Sequence, residues 1–286
     1  ISFGFHTACL VYAELLGNLG KDALSAKKYY YFVKVMGRSA SHIVLECALQ
    51  TQPNYVLLGE EISFLGKTLQ LVGELIVDLV VKRALAGKSY GLIVVPEGVI
   101  EAFPDFRQLL QELQGQQELS LEKLSAQAQD TFQSIPKLFQ DQLFLDRDPH
   151  GNLQVSKIET ERLLMQMVAD KLQQMEKKGK FAGGFQGQPL FYGYEGRSAL
   201  PSNFDATYAY SLGKVSAFLV MHRASGYLAS LRHLHRPVTE WLPCAVPLVW
   251  LLHMEMRKGR SQPVVAKQLV DLKGPVFQTF QKNREA

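Results

Sequence analysis

The sequence predicts an α/β fold built on a parallel sheet that helices cover. Three β-type runs, 29–37, 54–60 and 90–98, are separated by two helical patterns, which is the order of a βαβαβ unit. The runs are apolar on both sides, as in strands that are buried on both faces of a sheet. Right-handed crossovers then place ligand-binding loops at the carboxyl ends of the strands.

The two helices between these runs are predicted from apolar spacing. The first runs from about Ser39 to Gln50 and ends before Pro53. The second runs from about Leu65 to Ala86 and keeps its charged residues away from one apolar face. The residues of that face are Leu65, Leu69, Val72, Ile76, Leu79 and Val80.

A Gln-, Glu-, Lys- and Leu-rich stretch from about Phe106 to Gly179 has helical spacing and predicts a mostly helical insertion. Its last helix is expected to begin at a capping box formed by Ser156 and Glu159, and to end at 177–179. The apolar stripe of this helix contains Leu164, Val168, Leu172 and Met175.

The remainder returns to strand-and-loop character at 187–197, followed by a long helix from about Ser202 to His222 and a strand at 226–234. Two helical stretches are expected to end the chain, and the first of them, Trp241–Leu252, is predicted as a buried helix with proline breaks. These patterns divide the chain into 1–105 and 180–235 as two parts of one α/β domain, 106–179 as the insertion, and 236–286 as a C-terminal helical segment.

Composition narrows the possible partners. The 286 residues are 47% hydrophobic, which is enough for a substantial core. Lys and Arg outnumber Asp and Glu by only 31 to 27 and are scattered in small groups. This balance suits an anionic small ligand and argues against nucleic acid, since no basic stripe or RNA-binding aromatic motif is present. The longest apolar runs are interrupted by acids or are shorter than the roughly 20 residues that span a membrane.

The cysteines and the amino terminus indicate location. Cys9, Cys47 and Cys244 lie far apart without CxxC spacing, so neither a zinc ribbon nor a disulfide framework is predicted, and the cytoplasm is the simplest location. The first residues lack the basic leader of a signal peptide, and Ile1 in place of Met leads us to expect that the chain starts inside a longer protein.

The first candidate site lies where the run 29–37 ends. Gly37 permits close backbone approach, and the helix that starts in the next few residues offers unpaired N–H groups and a positive dipole end to an anion. Arg38 adds a donor for phosphate or hydroxyl groups. An ordinary turn between strand and helix is the alternative for this Gly-Arg pair.

Two further loops carry polar groups that suit a phosphorylated sugar. Glu97 follows the run 90–98 and is expected at the same sheet edge as Arg38, where it can accept sugar hydroxyls or cap the next helix. Tyr194, Glu195 and Arg197 lie in a glycine-flanked loop before the long helix. A solvent-exposed surface loop is the alternative for these three.

Two patterns resemble metal-binding motifs, but each lacks a required ligand. His233 and His235 fall on one side of a strand, but the sequence offers no third ligand near them. The segment 146–152 imitates the start of a calcium loop, yet Lys157 stands where a bidentate Glu is required. An ordinary turn is therefore predicted there.

The chain resembles the long-chain pyrophosphate-dependent 6-phosphofructokinases in three ordered segments, KKYYYFVKVMGRSASHIVLECALQTQPNYVLLGEE, GKSYGLIVVPEG and GYEGRSALPSNFDATYAYSLG. The likeness covers essentially the whole chain and implies a three-layer, parallel-sheet phosphofructokinase-like fold with a helical insertion. In that family the Met-Gly-Arg, Pro-Glu-Gly and Tyr-Glu-Gly-Arg motifs line the fructose 6-phosphate site. Carried over, the site residues are Met36, Gly37, Arg38, Glu97, Tyr194, Glu195, Gly196 and Arg197.

The resemblance also implies a partner subunit. A Lys-Tyr pair before the Met, here Lys28 and Tyr29, contributes in that family to the sugar-phosphate site of a neighbouring subunit. A homodimer or higher homo-oligomer is therefore expected, and the family includes allosteric members.

Other family motifs do not occur in this sequence. The glycine-rich phosphate-donor loop, the Gly-Gly-Asp-Asp metal motif and the Thr-Ile-Asp-Gly-Asp segment with the general-base Asp are expected upstream of Ile1. The resemblance thus implies no catalytic residue and no metal ligand within these residues, with Mg²⁺ bound by the upstream part. The opening FGFHTA resembles FGFDTA, with His6 in place of the acid.

The implied activity is reversible phosphoryl transfer from pyrophosphate to fructose 6-phosphate, which yields fructose 1,6-bisphosphate and phosphate in glycolysis. Such chemistry depends on positioning and charge neutralisation, and the present residues alone are expected to be inactive. Two alternatives stay open, a non-catalytic regulatory subunit that binds a sugar-phosphate effector, and a sugar-phosphate sensor.

Overall fold

The predicted βαβαβ order is present in the computed structural model, which describes residues 4–37, 40–114, 121–145, 158–257, 260–265 and 267–285. The described residues form two compact units. The sheet unit consists of those within Cys9–Gly196 and Leu269–Ala286, and the hairpin unit of those within Ile1–Ala8 and Arg197–Gln268.

Four parallel strands form the centre of the sheet unit, in the order β2-β3-β1-β4. The predicted α/β class is therefore confirmed. The second strand is much shorter than expected, because Gly59 already begins a helix. The strands are β1 Tyr30–Val35, β2 Tyr55–Val56, β3 Gly91–Pro96 and β4 Gly187–Tyr192.

Helices cover both faces of this sheet. On one face, Tyr30 and Phe32 of β1 join a large apolar core with helices α4, α5 and α8. On the other face, the Tyr31 hydroxyl donates a hydrogen bond to Asp22 of helix α1, and the Cys47 thiol of α2 lies 3.7 Å from the carbonyl oxygen of Cys9. The helices of the sheet unit are α1 Phe5–Ala26, whose first turn belongs to the hairpin unit, α2 His42–Thr51, α3 Gly59–Leu65, α4 Leu69–Leu85, α5 Pro104–Gln114, α6 Ala126–Ser134, α7 Lys137–Leu145, α8 Thr160–Lys177 and α11 Pro275–Glu285, together with short 3₁₀ helices at Val99–Ala102 and Leu121–Lys123.

The apolar face predicted for 65–86 is confirmed for four of its six residues, all within α4, whereas Leu79 is only partly buried. Leu69, Val72, Ile76 and Val80 are completely buried. Leu65 instead ends α3 and is 53% exposed, because Gly66 adopts a left-handed conformation that separates the two helices.

The insertion is mostly helical in its described residues, as predicted. Leu164, Val168 and Leu172 of α8 are buried, and Met175 packs against the same core. The capping box is wrong, since Glu159 is itself the residue before the helix and makes no side-chain cap. Ser156, the segment 146–152 and Lys157 lie outside the described residues.

The hairpin unit contains helix α10 and two antiparallel strand pairs, β5 with β6 and β7 with β8. Helix α10 matches its prediction closely, with Ser202 as the residue before it and its hydroxyl accepting from the N–H of Asp205. The bounds are α9 Tyr194–Arg197, which runs into this unit, α10 Asn203–Met221, β5 Tyr227–Arg232, β6 Leu242–Pro247, β7 Leu252–Arg257 and β8 Arg260–Val265, with 3₁₀ helices at Val238–Glu240 and Leu248–Leu251.

The buried helix predicted for Trp241–Leu252 is wrong, and so is the all-helical character of 236–286. This stretch contains strand β6 and a 3₁₀ turn, and Trp250 is 78% exposed. Pro243 and Pro247 cannot donate to a helix ladder but are tolerated in a strand that has a neighbour on one side. The ranges assigned to domains from the sequence stay a prediction.

Among the described residues, none of the helices has the length and apolar character needed to cross a membrane.

Candidate functional site

The carboxyl ends of β1 and β3 bring two predicted site residues together. The N–H of Gly37 donates to Oε2 of Glu97 at 3.2 Å, and the N–H of Glu97 donates to the carbonyl of Val35 at 3.0 Å. The parallel register that pairs Val35 with Pro96 produces this contact. The expectation that Glu97 emerges beside the Gly-Arg turn is thus confirmed at Gly37.

The backbone conformation at position 37 favours glycine over residues with a side chain. Its φ of +153° is rarely adopted by other residues, and a Cβ there would lie 3.4 Å from the carbonyl oxygen of Ala40. Arg38 follows directly but lies outside the described residues. Its place in the site remains a prediction.

The end of β4 leads into the third motif, Tyr-Glu-Gly-Arg. The N–H of Met36 donates to the carbonyl of Tyr192 at 3.0 Å, which ties the ends of β1 and β4 together. One residue further, the N–H of Gly193 donates to Oε2 of Glu195 at 2.8 Å. A Cβ on Gly193 would lie 3.4 Å from the Met36 methyl. The structure therefore gathers Met36, Gly37, Glu97 and Glu195 at one sheet edge.

Tyr12 is a residue of this site that the sequence analysis missed. Its hydroxyl donates to the carbonyl of Gly193 at 2.6 Å, and the side chain is completely buried. A Cβ on Gly196 would lie 2.4 Å from Tyr12 Cζ, so this glycine is required by the tyrosine ring. In the sequence, Tyr12 stands out only as the one polar aromatic residue in the apolar segment ACLVYA.

Burial and a nearby carboxylate both act on the tyrosines of this edge. Burial, together with repulsion by Glu195, raises the pKa of Tyr12 to about 12. Burial and Glu195 also raise the pKa of Tyr192. Both phenols therefore stay protonated and act as donors near neutral pH.

The described part of the site is suited to hydroxyl groups. Glu97 and Glu195 each use one carboxylate oxygen to accept a glycine N–H, and a carboxylate has further lone pairs that can accept from a sugar. Tyr194 is 66% exposed at the start of α9. Recognition of a phosphate group requires cations, and for this the prediction depends on Arg38 and Arg197.

Arg197 ends α9 and belongs to the hairpin unit, whereas Gly196 belongs to the sheet unit. Its guanidinium is therefore assigned to the site by sequence alone.

Lys28 and Tyr29 lie at the opposite end of β1 from the site. Met36 is seven residue steps further along the chain than Tyr29, which is about 23 Å at 3.3 Å per step in a strand. The Lys28 ammonium lies 4.8 Å from the centre of the Tyr29 ring. Within one chain this pair is therefore remote from Met36.

In the part of the chain that the structure describes, no group of three or more His, Cys, Asp and Glu side chains could hold a metal ion. The rings of His233 and His235 lie 6.1 Å apart, edge to face.

His6 takes part in a helix-start network in the hairpin unit. Its Nδ1 lies 2.9 Å from the Ser202 hydroxyl, and the N–H and hydroxyl of Thr7 both donate to Oδ2 of Asp205, at 2.7 and 2.5 Å. The structure thus gives this segment a role in joining the start of α1 to the start of α10.

Comparison with known proteins agrees with this fold. A family model described as phosphofructokinase matches residues 1–220. The pyrophosphate–fructose 6-phosphate 1-phosphotransferase of Treponema pallidum is 46% identical over 99% of this chain and 52% of its own length. The enzyme of the same name from Porphyromonas gingivalis is 44% identical over 99% of this chain and 54% of its own. The beta subunit from Solanum tuberosum is 46% identical, with coverage of 99% and 51%.

The chain therefore belongs to the phosphofructokinase family. It spans about half the length of the curated relatives that it matches.

Proposed function

We propose that this chain is the fructose 6-phosphate-binding portion of a pyrophosphate-dependent phosphofructokinase. The complete polypeptide would transfer a phosphoryl group reversibly between pyrophosphate and fructose 6-phosphate, with fructose 1,6-bisphosphate and phosphate as products. Membership of the family and the names of the relatives support the class of reaction.

The observation that carries the proposal is the contact between Gly37 and Glu97. Two motifs that are 60 residues apart in sequence meet through a 3.2 Å hydrogen bond at the carboxyl edge of a parallel sheet, which is where such sheets bind ligands. The strand that leads into the third motif joins them, because the N–H of Met36 donates to the carbonyl of Tyr192 at 3.0 Å.

Each residue has a proposed task in binding. Arg38 and Arg197 would contact the phosphate or hydroxyl groups of the sugar, Glu97 would accept its hydroxyl hydrogens, and Tyr194 would hold the phosphate end. These groups orient the sugar so that its 1-hydroxyl faces the donor. The base that removes the hydroxyl proton would come from the remaining half of the polypeptide.

Several finer features belong to the proposal. Mg²⁺ would be held by residues outside this chain and would neutralise donor charge. Lys28 and Tyr29 would complete the sugar-phosphate site of a neighbouring copy, which makes the active form a homodimer or higher oligomer. The enzyme would act in the cytoplasm and be open to allosteric control.

The test uses the complete polypeptide in a coupled assay for fructose 1,6-bisphosphate, with pyrophosphate and then ATP as donor. Loss of a charge-assisted contact costs about 2–5 kcal/mol, so Arg38→Ala should raise the KM for fructose 6-phosphate at least about tenfold. Arg236→Ala is the control, because this arginine is half exposed and pairs with Glu240 in the hairpin unit.

An unchanged KM in Arg38→Ala would contradict the site. Binding of fructose 6-phosphate without turnover by the complete polypeptide would favour the regulatory alternative instead. The 286 residues expressed alone are expected to show no pyrophosphate-dependent product, and turnover by them would show that the donor site and base lie within this chain.

A further inference from the structure

A buried ion pair joins strand β1 to the helical insertion. The ammonium of Lys34 lies 2.9 Å from Oε2 of Glu161 in the first turn of α8. Their side chains are only 11% and 5% exposed. The preceding residues on the same face of the strand, Tyr30 and Phe32, are apolar and belong to the core. The charged pair is thus an exception within an apolar layer.

Such a pair is expensive to bury. Two charges lose their hydration, and their attraction often does no more than compensate for that loss, so apolar residues of similar volume commonly stabilise a fold equally well. Burial raises the pKa of Glu161, and Lys34 opposes this shift. Stability alone therefore gives little reason for a charge pair at this position.

Lys34 is also held by the neighbouring strand. It is in register with Phe191 of β4, and its ammonium lies 4.8 Å from the centre of that ring. One cation thus contacts both α8 and β4 while its backbone belongs to β1. Helix α8 packs against both strands.

The contacts continue from this cation to the candidate site. A Cβ on Gly193 would lie 2.6 Å from the Phe191 ring and 3.4 Å from the Met36 methyl, so both groups lie close to that glycine. Met36 follows Lys34 by two residues, and Gly193 follows Phe191 by two. Lys34 and the Phe191 ring that it contacts therefore lie one residue before the carboxyl ends of β1 and β4. These two strand ends lead into the first and third motifs.

We propose that Lys34 and Glu161 are positioning residues of the sugar-phosphate site. Through this ion pair, the insertion helix α8 fixes the carboxyl ends of β1 and β4 relative to each other, and so sets the affinity for the phosphorylated sugar. The proposal rests on the proposed function and deepens it. It gives the insertion a task in binding that does not require contact between α8 and the substrate.

The decisive variant is Lys34→Met/Glu161→Leu in the complete polypeptide. It removes both charges, so it should fold with thermal stability close to wild type. The strand ends lose their common anchor, and small displacements at a distance change binding. The KM for fructose 6-phosphate is expected to rise by about threefold to tenfold, with the KM for pyrophosphate changed by less than about twofold. Calorimetric binding of fructose 6-phosphate should weaken by the same factor.

Two further variants separate positioning from stability. Lys34→Arg keeps a cation that can pair with Glu161 and should hold the KM within about twofold of wild type. Val80→Ala removes two methyl groups from a buried site of α4 and should lower stability. Because this change does not involve either strand end, both KM values should stay unchanged.

The outcomes are distinct. A double variant with a wild-type KM for fructose 6-phosphate, or equal increases in both KM values, would overturn the positioning role. An equal effect of Val80→Ala would overturn it as well, because general loosening would then explain the change. A wild-type polypeptide that neither binds fructose 6-phosphate nor turns it over would overturn the proposed function and this proposal together.

Discussion

Gly196 has no room for a side chain, because the ring of Tyr12 occupies the space that a Cβ would need. A Cβ at this position would lie 2.4 Å from Tyr12 Cζ and 2.7 Å from its hydroxyl oxygen. Gly196 therefore lets Tyr12 reach the carbonyl of Gly193, at a distance of 2.6 Å. The motif glycine therefore serves the packing of α1 as well as the short helix α9 that carries Glu195.

Gly196→Ala should consequently displace Tyr12 and destabilise the fold by about 1–3 kcal/mol. Urea unfolding would measure this change. The matched control is Gly20→Ala in α1, where no atom lies within 4 Å of the new methyl and a helical glycine becomes alanine, with an expected gain of up to about 1 kcal/mol. Equal stability of the two variants would contradict the steric argument.

Buried phenols make the fold sensitive to alkaline pH. Burial raises the pKa of Tyr12, Tyr31 and Tyr55 to about 12, from an ordinary value of 10.0. The folded chain then holds these protons more tightly than the unfolded chain, so their stabilisation is complete below pH 10 and is lost as pH rises toward 12. The free energy of unfolding should fall over this interval, and Tyr55→Phe should make the fall shallower. Identical slopes for wild type and variant would exclude Tyr55 as a contributor.

At the scale of elements, Glu60 links three segments at the carboxyl edge of the sheet. Its Oε1 accepts the N–H of Ser41 at 3.0 Å and the N–H of Val270 at 3.1 Å. In return, the Ser41 hydroxyl accepts the N–H of Gly59 at 2.9 Å. The start of α2, the start of α3 and the segment before α11 are therefore held together by one carboxylate.

Glu60→Ala should cost roughly 2 kcal/mol, because two backbone donors lose a charged acceptor. Burial opposes ionisation of Glu60, but the hydrogen bonds from Ser41 and Val270 prevail and lower its pKa. The stabilisation is thus present above the unfolded pKa and is lost as pH falls through the folded value. Glu60→Gln should flatten the acid limb of stability against pH. Glu74→Ala, at an exposed position of α4, is the control and should stay within about 0.5 kcal/mol of wild type.

Elements with a clear period were predicted well, and those that depend on tertiary context were not. Helix α10 was placed within a residue at each end, since Ser202 is a strong start signal. Helix α1 was not assigned, because its first turn has neither an acid nor a clear cap and two glycines interrupt it. The sequence predicts a helix where the structure has the strand Leu242–Pro247, because an apolar run alone does not distinguish the two.

At the scale of the whole molecule, sequence could predict which strand ends carry the site but not what supports them. The parallel topology brings Gly37 to Glu97, and this follows from strand order. Tyr12 donates a hydrogen bond to Gly193, which is 181 positions away in the sequence. Lys34 of β1 pairs with Glu161 of the insertion. Such partners share no local pattern, so only the folded chain reveals them.

The two units bury their apolar side chains very unequally. Among the described residues of the hairpin unit, only Ala8, Leu231 and Trp241 are buried apolar residues, whereas the sheet unit has a continuous core. Segments with few buried contacts open at low free energy.

In hydrogen exchange of the 286-residue chain, the amides of α10, β5 and β6 should therefore exchange much faster than those of β1 and β3. Helix α8 is the control, because it is a surface helix of similar length whose apolar stripe is buried, and its central amides should be protected nearly as well as the sheet. If the amides of α10 were as slow as those of α8, the hairpin unit would draw its stability from something other than the burial of its own apolar side chains.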